Sequence, residues 1–204
     1  MQIAFFDPIM VEPPKDKIYS RLGYAKGLTD ITEKQRKEVD KDIEYALTLI
    51  KLKGLARRIS IKEIKASQVI LSEETIFKSH SLAGFLTGYP ECLILGATSG
   101  QKIVKTIQES SNNKNFTQAV VLDAVASEMT DAALNWIVDY FNNQLRRENK
   151  RVSSRRFSAG YGDFSLVNQK IIVDILDMKR IKVAINNNFM LIPEKSVTAV
   201  AGIK

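Results

Sequence analysis

The sequence predicts an α+β fold in which long helices accompany a mixed or antiparallel sheet. One stretch, residues 117–148, carries apolar residues at helical spacing over its length. Residues 55–71 and 196–203 instead alternate, as half-buried strands do. Helices and strands follow one another without strict βαβ order, which favours the α+β class. We expect one domain over all 204 residues, with residues 1–15 as an extended arm.

The N-terminal half is predicted to contain two helices and then strands. A short helix is expected at residues 17–22. A longer one is expected from the N-cap Thr32 to about residue 53, with Gly54 as the residue that closes it. Two strands are expected within residues 55–71. Ser72 is then predicted to open another helix, which runs to about residue 86.

The middle of the chain contains a turn that resembles a phosphate-binding loop. A buried strand is predicted at residues 92–95, a turn at 96–100 and a helix at 101–110. A phosphate loop needs four residues between its glycines and Lys-Ser/Thr directly after the second. Here three residues separate the glycines, and Gln101 precedes Lys102. We therefore interpret the stretch as an ordinary strand-to-helix turn.

The C-terminal half is predicted to begin with the longest helix. Its residues Glu128, Asp131 and Asn135 share a face beside the apolar stripe. A helix near residues 165–178 and short strands separated by turn residues are expected to follow. The apolar stripe of the long helix consists of Val125, Met129, Ala132, Trp136 and Tyr140. The short strands lie near residues 181–185, 189–192 and 196–203.

The composition excludes several classes of site. Cys92, the one cysteine, lies in an apolar run and is expected to behave as a small buried hydrophobe. His80 is the one histidine, so a zinc site or a Cys-His nucleophile is not expected, and we predict no metal site and no catalytic residue. The start resembles no signal peptide and no apolar run reaches membrane-spanning length, which predicts a soluble cytoplasmic protein.

The net charge of +7 suggests an acidic partner, which leaves nucleic acid, an anionic small molecule and an acidic protein open. The stretch Arg155–Asp163 is the clearest candidate for a binding site. Two arginines offer a donor fork for a carboxylate or phosphate. The glycines that follow, Gly160 and Gly162, allow backbone to approach a ligand closely. These residues alone do not choose between Arg155 and Arg156.

The C-terminal third resembles the activation, or reactivation, domain of cobalamin-dependent methionine synthase. The run 156–161 matches the Arg-x-x-x-Gly-Tyr element of that family, in a loop after a long helix. The run 193–198, Pro-Glu-Lys-Ser-Val-Thr, is similar to the family's later Pro-x-x-Ser-Val-Ser hairpin. The clearest match covers residues 117–203. A family-type acidic residue near the N-terminus has no counterpart in residues 1–60.

The resemblance implies a stand-alone reactivation subunit that binds S-adenosylmethionine. Such a domain presents the methyl donor for reductive methylation of oxidised cobalamin, which the partner synthase carries. The implied partners are the cobalamin-binding module and an acidic flavodoxin-type electron donor. No association with a membrane is expected. The chain is thus expected to be an accessory part of a methyltransferase in methionine biosynthesis, without catalysis of its own.

The same resemblance assigns a ligand site. It selects Arg156 for the methionyl carboxylate of the ligand. It assigns Asp131, with Glu128 as the alternative, to the ligand amine or ribose. The remaining implied positions are Ser158, Ala159, Gly160 and Tyr161 in the loop, and Val200 and Ala201 in the last strand, where the family has a pair of aromatics.

Two other functions stay open from the sequence. An accessory protein of a corrinoid methyltransferase system that no longer binds the ligand would keep the same fold. A nucleic-acid-binding module would use a basic run after the long helix, although few aromatics interleave with it. A self-contained methyltransferase is not expected because no Gly-rich Rossmann loop is present. The basic run consists of Arg146, Arg147, Lys150, Arg151, Arg155 and Arg156.

Overall fold

The computed structural model describes residues 2–25, 27–72 and 74–204. It confirms the α+β class: an antiparallel sheet is covered on both faces by helices. The helices are Lys15–Arg21 (α1), Glu33–Leu49 (α2), His80–Leu86 (α3), Gln101–Asn112 (α4), Phe116–Leu145 (α5) and Asn168–Leu176 (α6). The strands are Ala4–Phe6 (β1), Lys53–Lys65 (β2), Gln68–Leu71 (β3), Ile76–Lys78 (β4), Glu91–Thr98 (β5), Ala184–Ile185 (β6), Leu191–Ile192 (β7) and Ser196–Ile203 (β8).

Strand β5 is an inner strand of the main sheet. The strand order is β4-β3-β2-β5-β8, and β1 pairs with the first part of β2, so that the predicted N-terminal arm is partly a strand. All eight residues of β5 are buried. They pair with β2 on one side, from Lys53↔Thr98 onward, and with β8 on the other, from Glu91↔Ile203 onward. Strands β6 and β7 form a separate hairpin.

Side-chain alternation divides the core into two clusters, one on each face of the sheet. In β5, Leu93 and Leu95 belong to the cluster under α2, α4 and α5, whereas Cys92 and Ile94 belong to the cluster under α3 and α6. A strand buried on both faces reads as a continuous apolar run, which is why residues 92–95 predict a strand so clearly.

The predicted helices α1, α2, α4, α5 and α6 are present. Thr32 caps α2 as expected: its hydroxyl accepts from the backbone N–H of Gln35, and the Gln35 side chain accepts from the backbone N–H of Thr32. Helix α5 spans thirty residues and continues as a 3-10 turn over Arg146–Glu148. None of the helices in the described ranges is long and apolar enough to span a bilayer.

Three boundary predictions were wrong. Helix α2 ends at Leu49, and Gly54 lies in β2, where an added Cβ would come within 2.6 Å of Ile137 Cδ1 on α5. Gly54 therefore permits close packing of sheet on helix and closes no helix. Gly96, predicted in a turn, lies in β5, which continues to Thr98.

The third error concerns the segment after Ser72, predicted as a helix. A β3–β4 hairpin occupies it, because Leu71 donates to the carbonyl of Thr75 and β4 alternates exposed, buried, exposed around Phe77. Glu73 lies outside the described residues. Helix α3 begins only after Ser79, whose hydroxyl accepts from the N–H of Leu82.

Truncation of a β5 side chain tests how much this strand contributes to the core under α2, α4 and α5. Leu95 is fully buried, so we expect Leu95→Ala to lower the free energy of unfolding by about 2–5 kcal/mol. The measurement is urea unfolding followed by circular dichroism. Leu28→Ala is the matched control, since Leu28 is 89% exposed and its loss should change stability by less than about 0.5 kcal/mol. Equal effects of the two changes would contradict the placement of β5.

Candidate functional site

The segment after α5 runs along the free edge of β8. Phe157 and Val200 exchange both backbone hydrogen bonds, each at 2.8 Å. Arg151 and Lys204 do the same at the other end of this ladder, at 2.7 and 3.1 Å. An antiparallel pairing of this kind fixes which side chains face each side of the segment. Arg156 thereby receives a defined position relative to β8.

Two glycines then turn the chain back toward α3. Gly160 has φ +97° and Gly162 has φ +56°, values that L residues rarely adopt. A Cβ on Gly162 would also lie 3.0 Å from Ser81 Oγ in α3. The glycines predicted to permit close backbone approach thus also permit a tight turn packed against a neighbouring helix.

Asp163 fastens the end of this loop to the start of α3. Its carboxylate accepts from Ser79 Oγ at 2.6 Å, from the His80 N–H at 2.6 Å and from the Ser81 N–H at 3.0 Å. These hydrogen bonds, with that from Ser79 the strongest cause, hold the pKa of the Asp163 carboxyl well below its usual range. The loop is therefore held at both ends, by β8 and by α3.

A cavity of about 740 Å³ lies between this loop, α5, α6, β8 and the end of the β6–β7 hairpin. This volume is within the range of small-molecule sites. Its apolar lining residues are Leu134, Phe157, Ala159, Leu166, Phe189, Met190, Leu191, Val197 and Ala199. Its polar and amphipathic lining residues are Asp131, Arg156, Ser158, Tyr161, Gln169, Glu194, Ser196 and Thr198.

Arg156 enters the cavity beside two polar residues of α5. One of its terminal nitrogens donates to Asn135 Oδ1 at 2.6 Å. Burial lowers the pKa of the Arg156 guanidinium, and the charge of the Asp131 carboxylate opposes that effect. A guanidinium has five N–H donors and remains charged at neutral pH. Arg156 therefore has donors left for an anionic group of a ligand.

Other polar groups are fixed at the base of the cavity. The Gln169 side-chain amide donates to Thr198 Oγ1 at 2.7 Å, and both residues are buried. The Ser196 hydroxyl donates to Thr98 Oγ1 at 2.9 Å. Gln169 is not among the predicted site residues, because a glutamine in an amphipathic helix gives no signal of its own.

The structure brings together most, but not all, of the predicted site residues. Ser158, Ala159 and Tyr161 line the cavity with Arg156 and Asp131, and Gly160 forms the turn between them. Tyr161 is 69% exposed and lies at the mouth.

The other three predicted residues lie elsewhere. Glu128 is nearly buried, and its carboxylate accepts from Arg21 Nε at 2.6 Å. Val200 and Ala201 are fully buried, one on each face of β8. Val200 contributes through its backbone, which holds Phe157.

The β6–β7 hairpin adds residues that the sequence analysis did not assign to the site. Phe189, Met190 and Leu191 line one wall, and Glu194 lies just after β7. A local signal was present, because three asparagines between two short apolar runs are typical of a hairpin turn. No local signal indicates that this hairpin faces the Arg156 loop.

The remaining reactive side chains lie outside the cavity. Cys92 is fully buried, as predicted, and burial raises the pKa of its thiol to about 12. His80 Nδ1 lies 2.7 Å from the carbonyl oxygen of Ala66. In residues 2–25, 27–72 and 74–204, no three side chains of His, Cys, Asp or Glu are grouped as metal ligands.

The basic run after α5 is partly engaged in internal contacts. Lys150 Nζ lies 2.9 Å from Glu91 Oε2 and 3.4 Å from Glu148 Oε2. The same carboxylates contact Arg58, each at 2.6 Å. With Arg156 turned into the cavity, at least two members of the run contact protein groups.

Comparison of the sequence with protein-family models and with curated proteins gives no significant match. Solved structures do match, and one is the crystal structure of the MetH reactivation domain bound to AdoHcy. It superposes with a TM-score of 0.71, at 10% identity, and the match covers 99% of this chain and 78% of that one. The chain therefore has the fold that the sequence resemblance implied, and at this identity the likeness establishes the fold alone.

Removal of the Asp163 carboxylate tests how the loop is held. We expect Asp163→Asn to lower the midpoint of thermal unfolding at pH 7 and to speed amide hydrogen exchange at residues 157–162 several-fold. Because the pKa of the Asp163 carboxyl is lower in the folded state, its ionised form stabilises the fold at pH values above the pKa of the unfolded state, about 3.9. This contribution is lost as the pH falls through the pKa of the folded state. The difference from wild type should therefore shrink as the pH is lowered below about 4.

The exposed Asp174 of α6 provides the control for this experiment. Asp174→Asn should leave both the midpoint and the exchange of the loop unchanged. Slow exchange of residues 157–162 in Asp163→Asn would show that β8 alone holds the loop.

Proposed function

We propose that the chain binds S-adenosylmethionine in the cavity beside Arg156 and acts as a stand-alone reactivation subunit for cobalamin-dependent methionine synthase. The observation that carries the proposal is the arrangement of Arg156. A partly desolvated guanidinium, held by Asn135 on one side, retains donors toward a cavity with apolar walls. The activation-domain fold and the Arg-x-x-x-Gly-Tyr loop support the same ligand.

The lining residues fit the parts of this ligand. The planar guanidinium of Arg156 matches the two oxygens of a carboxylate. Asp131, close enough to affect the pKa of Arg156, suits the ammonium group next to that carboxylate. Phe157, Phe189 and Leu191 supply apolar surface of the kind that an adenine ring packs against.

The chain's own residues would bind and orient the ligand. Arg156 and Asp131 hold the amino-acid end, and the hairpin wall limits access of water to the apolar end. When bound, S-adenosylmethionine supplies a methyl group on a sulfonium sulfur. Cobalamin and its reductant belong to the partner, so the reaction depends on cofactor chemistry that the partner brings. We infer that this chain works in trans.

Charge is consistent with that arrangement. The chain has a net charge of +7, which favours encounter with an acidic electron donor such as a flavodoxin-type protein or with an acidic cobalamin module. Such steering acts mainly on the association rate and weakens with salt.

Arg156 is the first residue to test. We expect Arg156→Ala to weaken S-adenosylmethionine binding by about tenfold or more, because a charged hydrogen-bonding partner of the ligand carboxylate is lost. The measurement is isothermal titration calorimetry. Arg156→Lys should recover only part of the affinity, since an ammonium cannot form the bidentate contact. Arg155→Ala is the matched control and should bind like wild type, because Arg155 is exposed and does not line the cavity.

If the wild type shows no heat of binding at millimolar S-adenosylmethionine, the proposed site is contradicted. That result would leave an accessory role without ligand binding. A mobility shift with nucleic acid that falls steeply with salt would instead favour the basic surface as a nucleic-acid interface.

The reactivation role has its own test. A cobalamin-dependent methionine synthase is prepared without its activation domain and inactivated by oxidation of its cobalamin. We expect this chain, with S-adenosylmethionine and a flavodoxin-type reductant, to restore methionine formation. Arg156→Ala should fail to restore methionine formation at ligand concentrations that saturate the wild type, whereas Arg155→Ala should restore it. Ligand binding without recovery of any synthase would contradict the role while leaving the binding site intact.

A further inference from the structure

The cavity is acidic, although the chain as a whole is strongly basic. Among the described residues that line it, the charged groups are Asp131, Glu194 and Arg156. Two carboxylates and one guanidinium leave one unit of negative charge, in a protein of net charge +7. This sign is the opposite of that expected for a site that binds an anion, such as a phosphate or a nucleic-acid backbone.

Glu194 is the cavity carboxylate that remains once Asp131, whose charge acts on Arg156, is set aside. Within the described part of the chain, no hydrogen bond or ion pair engages its carboxylate. The adjacent cation, Lys195, is directed to α5, where its Nζ lies 2.6 Å from Asp123 Oδ1 and 3.0 Å from Ser127 Oγ. Lys195 therefore does not neutralise the cavity, and the charge of Glu194 remains available to a ligand.

The backbone around Glu194 is held in place. Strand β7 precedes it, and β8 begins two residues later. The carbonyl of Lys195 accepts from the Ser99 N–H at 2.9 Å, which ties this turn to the end of β5. A carboxylate on a fixed turn acts at a defined place in the cavity with little loss of backbone entropy on binding.

We propose that Glu194 makes the cavity selective for a ligand of net positive charge, and therefore for a sulfonium over the corresponding thioether. This inference rests on the proposed function. In S-adenosylmethionine the ammonium and carboxylate cancel, and the sulfonium adds one positive charge. Arg156 meets the carboxylate, and Asp131 meets the ammonium. Glu194 then supplies the charge that the sulfonium complements, and the thioether S-adenosylhomocysteine lacks that interaction.

Such selectivity has a consequence for ligand exchange. A ligand that has given up its methyl group as a cation equivalent is a neutral thioether, so the attraction of Glu194 for it is lost. The spent ligand is then held less tightly than the methyl donor that replaces it. Glu194 would favour exchange in this direction without contacting the methyl group.

The test compares two ligands that differ in this charge. Calorimetry measures the affinities of S-adenosylmethionine and S-adenosylhomocysteine for the wild type and for Glu194→Gln. We expect the variant to bind S-adenosylmethionine about two- to fivefold more weakly, the range for exposed charge pairs, and to bind S-adenosylhomocysteine as the wild type does. As the salt concentration is raised from about 50 mM to about 500 mM, the ratio of the affinities for S-adenosylmethionine and S-adenosylhomocysteine should fall in the wild type. In the variant this ratio should change little.

Asp139→Asn is the control for overall charge. Asp139 is an exposed carboxylate of α5 that does not line the cavity, so its loss should change neither affinity. If Glu194→Gln weakens the binding of both ligands equally, or of neither, selectivity by charge is contradicted, whereas the proposed binding site is not. If neither ligand binds the wild type, the proposed function fails, and this inference fails with it. Thermal unfolding of each variant confirms that it is folded.

Discussion

The pairing of β8 with β5 is the constraint on which the rest of the structure depends. Through it, alternate residues of one central strand enter two separate cores, and β8 is left with one free edge. The segment that carries Arg156 occupies this edge through the bridges Val152↔Ile203 and Phe157↔Val200. A slip of one residue in this register would exchange the faces of every side chain on the segment. Stability and the position of the candidate site are thus decided by the same hydrogen bonds.

The cavity is assembled from elements that are distant in the sequence. Helix α5 supplies Asp131 and Asn135, the loop supplies Arg156, and the hairpin end supplies Phe189 and Glu194. Each of these elements is held by contacts outside the cavity, such as those of Asp163 with α3 and of Lys195 with α5. The walls are therefore held by the fold itself, and a ligand would not have to order them.

The charges of the site and of the surface have different roles. The net positive charge acts at long range and, under the proposed function, would favour acidic partners. The cavity has the opposite sign and acts at contact distance on whatever enters it. Under the proposed function, a zwitterionic ligand with an added cationic centre would complement the cavity, and a separate acidic protein would dock on the surface. This division is consistent with an accessory subunit that holds a small methyl donor and presents it to a larger partner.

The sequence by itself determined the fold class, most helices, the buried strand at residues 92–95 and the Arg156 loop, because hydrophobic period and turn residues are local signals. Local signals also account for the errors. Gly54 and Gly96 predict element boundaries from local sequence, although glycine in a strand can equally mark close packing against a helix. Only the tertiary structure decided that Glu128 pairs with Arg21, that Val200 acts through its backbone and that Glu194 reaches the cavity. Those outcomes depend on which surfaces meet, and the packing of sheet, helices and hairpin determines this.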